Sequence, residues 1–204
     1  MVESALRNLD YAKLYLEDGR TQAEKELIKM KRELKNYFER LIESWGKYNK
    51  SLPRTSWQEG VKPTIYVGEK DDNEYIYWQP IEKDEASDFS LIEKELGIVI
   101  HESIKEYFNS YWFAELTGFF DSYSLILESV LPGAELNNFY AEVAGFYINY
   151  NNLNYIPIGI ESNTTFSIVV DNQTGAVGLF DDENEKYIPL MNSLASLIDS
   201  IYFR

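Results

Sequence analysis

Cysteine is absent from this 204-residue chain. That excludes disulfides, thiolate nucleophiles and cysteine-ligated zinc, and it fits a reducing compartment. Histidine occurs once, as His101. A Ser-His-Asp triad would have to be built on it, and no Gly-x-Ser-x-Gly elbow accompanies it. Neither common type of Gly-rich phosphate loop occurs. No run approaches the ~20 apolar residues that span a bilayer, and Met1-Val2-Glu3-Ser4-Ala5-Leu6 lacks the basic start and apolar stretch of a secretory leader. A cytoplasmic protein without membrane insertion is therefore expected. The most informative absence is local. Residues 106–185 contain no Lys, Arg or His, yet they carry twelve carboxylates.

The charge is unevenly divided along the chain. Residues 1–50 hold eleven Lys/Arg against nine Asp/Glu, whereas residues 51–204 hold eight against twenty-five, and the whole chain has a net charge of −15. A domain that tolerates such self-repulsion gains solubility and the ability to steer a cationic partner. It is poorly suited to direct contact with nucleic acid, which needs clustered Lys and Arg. Hydrophobic residues make up 45% of the chain and 31 residues are aromatic, so a folded core is expected despite the charge.

The pattern of apolar residues alternates between helical and strand periods. Residues 3–18 read as a short helix ended by Gly19. Thr21 and Glu24 form a capping-box pattern before a second helix, with Leu27, Leu34, Phe38, Leu41 and Trp45 on one face and Gly46 as its stop. Too few heptads are present for a coiled coil, so this helix is expected to pack on its own domain. Thr64–Val67 and Tyr75–Gln79 suit a hairpin in which Ile76 and Trp78 point inward, away from Tyr75 and Tyr77. Ser90 and Glu93 suggest a capping box for one helix reaching about residue 110. Phe113–Thr117 and Tyr123–Glu128 follow as strands, and Pro132 is placed to open the next helix. Ile156–Ile160, Phe166–Val170 and Ala176–Phe180 read as further strands, the last two joined by a turn around Gly175. Pro189 is expected to open a closing helix. Hairpins dominate, so the fold class is α+β with a mostly antiparallel sheet, packed helices and an N-terminal helical segment.

Recognisable catalytic spacing is missing. His101 falls off the apolar stripe and reads as an exposed structural residue. The carboxylates of Asp181–Glu185 are the best local metal candidate, but they lack the alternating ligands and central glycine of a Ca²⁺ loop and read as a solvated turn. No enzyme activity, cofactor or metal is expected. The favoured contacts with a basic protein partner are Glu115, Asp121 and Glu128 around the middle hairpin, and Glu161, Asp171, Asp181, Asp182 and Glu183 around the later strands.

Several segments resemble a known family. Leu34–Trp45, Leu52-Pro53, Pro63-Thr64-Ile65 and Tyr77-Trp78-Gln79-Pro80 are similar to the opening of the Syd (SecY-interacting) family, within the SUKH superfamily. Ile92–Ile100 resembles its central helix. Asn172-x-x-Gly175-x-Val177 and Leu194–Leu197 resemble its closing hairpin and helix. The resemblance divides the chain into an N-terminal helical extension, 1–31, and a Syd-like SUKH domain, 32–204. It implies an α+β protein without enzymatic activity. It also implies two functions. Many SUKH relatives are immunity proteins that neutralise a basic polymorphic toxin domain, often a nuclease, and this is the leading expectation. The alternative is a Syd-like protein whose acidic face binds basic cytoplasmic loops of the SecY translocon channel, with only peripheral association with the membrane through SecY.

Overall fold

The computed structural model describes residues 22–164, 166–181 and 183–204. The first expected helix, Thr21 of the capping box and Asp182 lie outside them.

Helix α1, Gln22–Tyr48, runs unbroken across position 31 and two residues past Gly46. Met30, Leu34, Tyr37, Phe38 and Leu41 recur at helical spacing and are buried. The helix packs within its own domain, against helices α3 (Glu102–Phe108) and α5 (Leu194–Ser200). A small three-stranded sheet follows, with β1 (Arg54–Ser56) and β2 (Tyr66–Val67) on either side of β3 (Tyr75–Trp78). Its alternation is the expected one: Ile76 and Trp78 are buried, Tyr75 and Tyr77 exposed. Trp78 meets the Phe38 ring edge-on at 6.3 Å and ties this sheet to α1.

Helix α2, Ser90–Leu96, ends at Gly97, whose φ of 68° is left-handed. The expected single helix to residue 110 is thus two, α2 and α3. The Glu93 carboxylate, accepting from the Ile100 N–H and pairing with Lys105 at 2.8 Å, stabilises the corner. The capping box on Ser90 does not form, because Asp88 Oδ1 accepts the Ser90 N–H instead. A two-strand pair of β4 (Ile81–Glu82) and β5 (Tyr111–Trp112) precedes the main sheet.

That sheet has six antiparallel strands, β6 (Leu116–Phe120), β7 (Tyr123–Leu127), β8 (Tyr155–Glu161), β9 (Ser167–Asp171), β10 (Val177–Asp181) and β11 (Lys186–Met191), neighbouring in sequence order. Helix α4, Glu135–Tyr150, is inserted between β7 and β8. It begins three residues after Pro132, because the Leu131 carbonyl first accepts the N–H groups of Ala134 and Glu135. Pro189 sits inside β11 and not at a helix start. An edge strand accommodates it, since a missing N–H costs nothing on the solvent side. Strand boundaries differ from expectation mainly between 111 and 120, where β5 and β6 replace one strand at 113–117.

The inner face of the sheet carries Leu125, Leu127, Ile156, Ile158, Ile168, Val170 and Leu179, in one core cluster with α1, α3 and α5. On the outer face, Val169 and Phe180 pack with Phe146 of α4 in a smaller cluster. At the β6 edge, the Tyr37 hydroxyl donates to the Thr117 carbonyl at 2.8 Å and accepts the Thr117 N–H at 2.9 Å. Two residues on, Phe119 exchanges both backbone hydrogen bonds with Tyr202.

Candidate protein interface

Helix α4 covers only part of the outer sheet face. Its N-terminal turn is anchored by Lys83, a fully buried lysine whose ammonium lies 3.8 Å from Glu135, 2.7 Å from Ser87 Oγ and 3.5 Å from the Trp112 ring centre. Burial brings that ammonium down to about 8, against the opposing pull of Glu135. Towards its C-terminus it is anchored by Phe146, whose ring meets that of Phe180 edge-on at 5.3 Å. Between these anchors Phe139 and Val143 are buried in the main core, while along the flank that carries Ala141, Glu142 and Gly145 a cleft of about 510 Å³ opens between the helix and the sheet.

The sheet side of this cleft follows from the register. Thr117 pairs with Ile126, Ile126 with Ile160, and Ile160 with Ser167, forming one row across four strands. The two isoleucines are 39% and 46% exposed, which is unusual for large aliphatic groups side by side on a sheet. Gly159 lies beside them at an irregularity in the β8–β9 pairing. A side chain there would overlap the carbonyl oxygen of Ile126, so glycine permits the close approach of β7 and β8.

Glu128 follows Ile126 by two residues and shares its face. It lines the cleft opposite Ala141 and Glu142 of α4. Partial burial, reinforced by repulsion from Glu142, pushes the Glu128 carboxyl up to about 7. Every lining residue falls between 126 and 167, inside the segment that has no Lys, Arg or His. The cleft therefore joins two carboxyls to an aliphatic floor and supplies no cation of its own. Such a surface suits the long side chains of lysine and arginine, apolar along the stem and charged at the tip.

The other expected contact residues are dispersed. Glu115 is half-buried and shifted upward by burial, against a hydrogen bond from Thr55. Asp121 is exposed at the tip between β6 and β7, and its carbonyl accepts the Tyr202 hydroxyl. Glu183 is exposed on the β10–β11 turn.

Glu161, Asp171 and Asp181 direct carboxylate oxygens at the turns that follow their strands. Glu161 is 1% exposed and accepts hydrogen bonds from the backbone of Ser124, Asn163 and Thr164 and from the Asn163 and Thr164 side chains. Burial pushes it upward, but those bonds outweigh burial and hold it below the usual carboxylate range. Asp171 accepts the N–H groups of Gln173 and Thr174 in the same manner. Asp181 accepts those of Glu183 and Asn184, together with the Asn184 amide. Each acid ends a strand and organises the turn that follows it. Among the described residues, no group of three or more acidic or histidine side chains is placed to hold a metal ion.

His101 is half-buried and not an exposed residue. Its Nδ1 accepts the Ser103 N–H and caps α3, while the His101 backbone N–H donates to Asn172 Oδ1. Its ring lies against Gly175, whose φ is 75°.

Glu142, Ile126 and Ile160 were not picked out by sequence reasoning. The spacing of Ile126 and Glu128 within Leu125-Ile126-Leu127-Glu128 places them on one face and offers a local sign of the cleft. Nothing local joins them to Glu142, which reaches the cleft only through the insertion of α4.

A family model described as Syd protein (SUKH-2) matches residues 31–202. Protein Syd of Aliivibrio salmonicida (strain LFI1238) is 22% identical over 178 residues, 85% of this chain and 96% of that protein. Protein Syd of Klebsiella pneumoniae (strain 342) is 25% identical over 171 residues, 82% of this chain and 93% of its own length. Protein Syd of Psychromonas ingrahamii is 33% identical over a shorter stretch of 95 residues, 47% of this chain and 51% of that protein.

Proposed function

The chain belongs to the Syd protein (SUKH-2) family, and we propose that it is a non-enzymatic protein whose acidic surface binds basic cytoplasmic loops of the SecY translocon channel. The observation that carries this reading is the cleft between α4 and β7–β8, with Glu128 and Glu142 above exposed isoleucines and no basic residue in its lining. A positively charged loop finds there both a complementary potential and apolar contact. Among the described residues, no helix is long and apolar enough to cross a membrane, which accords with peripheral association through such loops. The relatives described above carry the Syd name, and they favour this reading over toxin neutralisation.

Capture of SecY tests it. The immobilised chain is expected to retain SecY, and replacing the Lys and Arg of the SecY cytoplasmic loops should abolish retention. Association should slow steeply as salt rises from about 50 to 500 mM, while dissociation changes less. Failure to retain SecY at low salt, beside retention of a basic toxin domain, would reverse the order of the two functions.

A further inference from the structure

We propose that the cleft seats one lysine or arginine side chain of the bound loop, its stem over Ile126 and Ile160 and its charged end between Glu128 and Glu142, and that its entry expels a proton from Glu128. This rests on the reading of the chain as a binder of basic loops and adds how one site within it is gated.

The geometry supplies three reasons. First, Glu128, the residue that follows β7, and Glu142 of α4 line a shared cleft of about 510 Å³. Second, the floor between them is aliphatic and open, with Ile126 and Ile160 paired in register and each more than a third exposed. An apolar floor below two acids matches a long cationic side chain better than a small hydrated ion. Third, no counter-charge is provided from within. Among the described residues, no ion pair involves Glu128 or Glu142.

The ionisable groups around Glu128 are few. Helix α4 contributes Glu142 and, further along the cleft, Tyr150, and α3 contributes Tyr107, whose hydroxyl donates to the Glu128 backbone carbonyl at 2.6 Å. Strand β8 lines the cleft with Pro157, Gly159 and Ile160, none of them ionisable. Held near 7 by burial and Glu142, Glu128 carries a proton on about half of the free molecules at neutral pH. An incoming ammonium or guanidinium favours the carboxylate. The O–H bond of the acid breaks, its proton leaves to solvent, and the cation takes over the neutralising role.

The test is calorimetric titration of the full chain with acetyl-Leu-Arg-Leu-Arg-Leu-amide in two buffers of different ionisation enthalpy, with a Gln-for-Arg peptide as control. At pH 7, release of about half a proton per complex is expected, falling towards zero at pH 9. Glu128→Gln should abolish the release and weaken binding about tenfold at pH 8, yet leave binding at pH 5.5 nearly unchanged. Glu142→Gln should weaken binding at both pH values, and it keeps the proposal open to refutation if the first variant folds poorly. Binding without proton release, release that persists in Glu128→Gln, equal binding of the Gln peptide, or no binding of the Arg peptide would each overturn the inference. SecY capture that is unaffected by either variant would reject this seat and leave the proposed function standing. Peptide docking with proton release in a chain that does not retain SecY would keep the seat and reject the partner.

Discussion

Glu128→Gln makes a direct probe of the cleft, because the cost of charging Glu128 is written into folding stability as well as binding. Its carboxyl lies at about 7 in the folded chain, above its ordinary value of 4.5. The folded state thus holds this proton more tightly than the unfolded state. The contribution is fully present below the unfolded value and is lost as pH rises through the interval from 4.5 to 7. A shift of this size corresponds to about 3 kcal/mol, trimmed to about 2 kcal/mol by solvent access from the open side of the cleft. Glutamine keeps the shape without the ionisation. The variant should therefore match the parent to within about 1 kcal/mol at pH 5 and exceed it by about 2 kcal/mol at pH 8. For a chain of this length that is about 4–8 °C in melting temperature at the higher pH. Urea denaturation of both proteins at the two pH values isolates the effect, because other titrating groups cancel in the difference. A stability difference that is the same at pH 5 and pH 8 would refute the assignment of a charge penalty to Glu128.

Glu161→Ala should destabilise the fold by about 2–3 kcal/mol, since it strands the N–H groups of Ser124, Asn163 and Thr164. Its carboxyl is held below the ordinary range, so the stability it gives is present at neutral pH and lost on acidification, and the variant's deficit should shrink below about pH 4 in chemical denaturation. Trp78→Ala should cost about 3–5 kcal/mol in urea unfolding, because it removes the fully buried indole by which the small sheet packs on α1. Gly175→Ala combines a left-handed φ of 75° with a collision against the His101 ring, and a loss of about 1–3 kcal/mol by thermal melting is expected.

Local patterns carried much of the architecture. The alternation in Tyr75-Ile76-Tyr77-Trp78, the helical stripe of α1 and the turn at Asp171–Gly175 were legible because burial and turn chemistry act over a few residues. The break at Gly97 was hidden because Ile92, Ile100, Ile104 and Phe108 keep a continuous apolar spacing while the backbone turns a corner. Pro189 misled because its meaning depends on whether its strand lies at an edge, which only topology decides. The same holds for the acids. Composition marks residues 106–185 as unneutralised, but it cannot separate Glu161, folded into its own turn, from Glu128, which faces a cleft. Pairing Glu128 with Glu142 needs α4 to cross the sheet between β7 and β8.

The closed edges of the main sheet bear on how so charged a protein behaves in solution. At low ionic strength a net charge of −15 keeps copies apart by repulsion, but salt at cellular levels reduces that repulsion to a range of about 8 Å. Copies can then meet, and a bare strand edge would invite pairing. Here Tyr37 and Tyr202 occupy the backbone groups of Thr117 and Phe119 on one side, while Pro189 and Lys186 interrupt β11 on the other. Resistance to self-association therefore has a steric component that salt does not remove, and the colloidal stability of the chain should outlast its electrostatic shield.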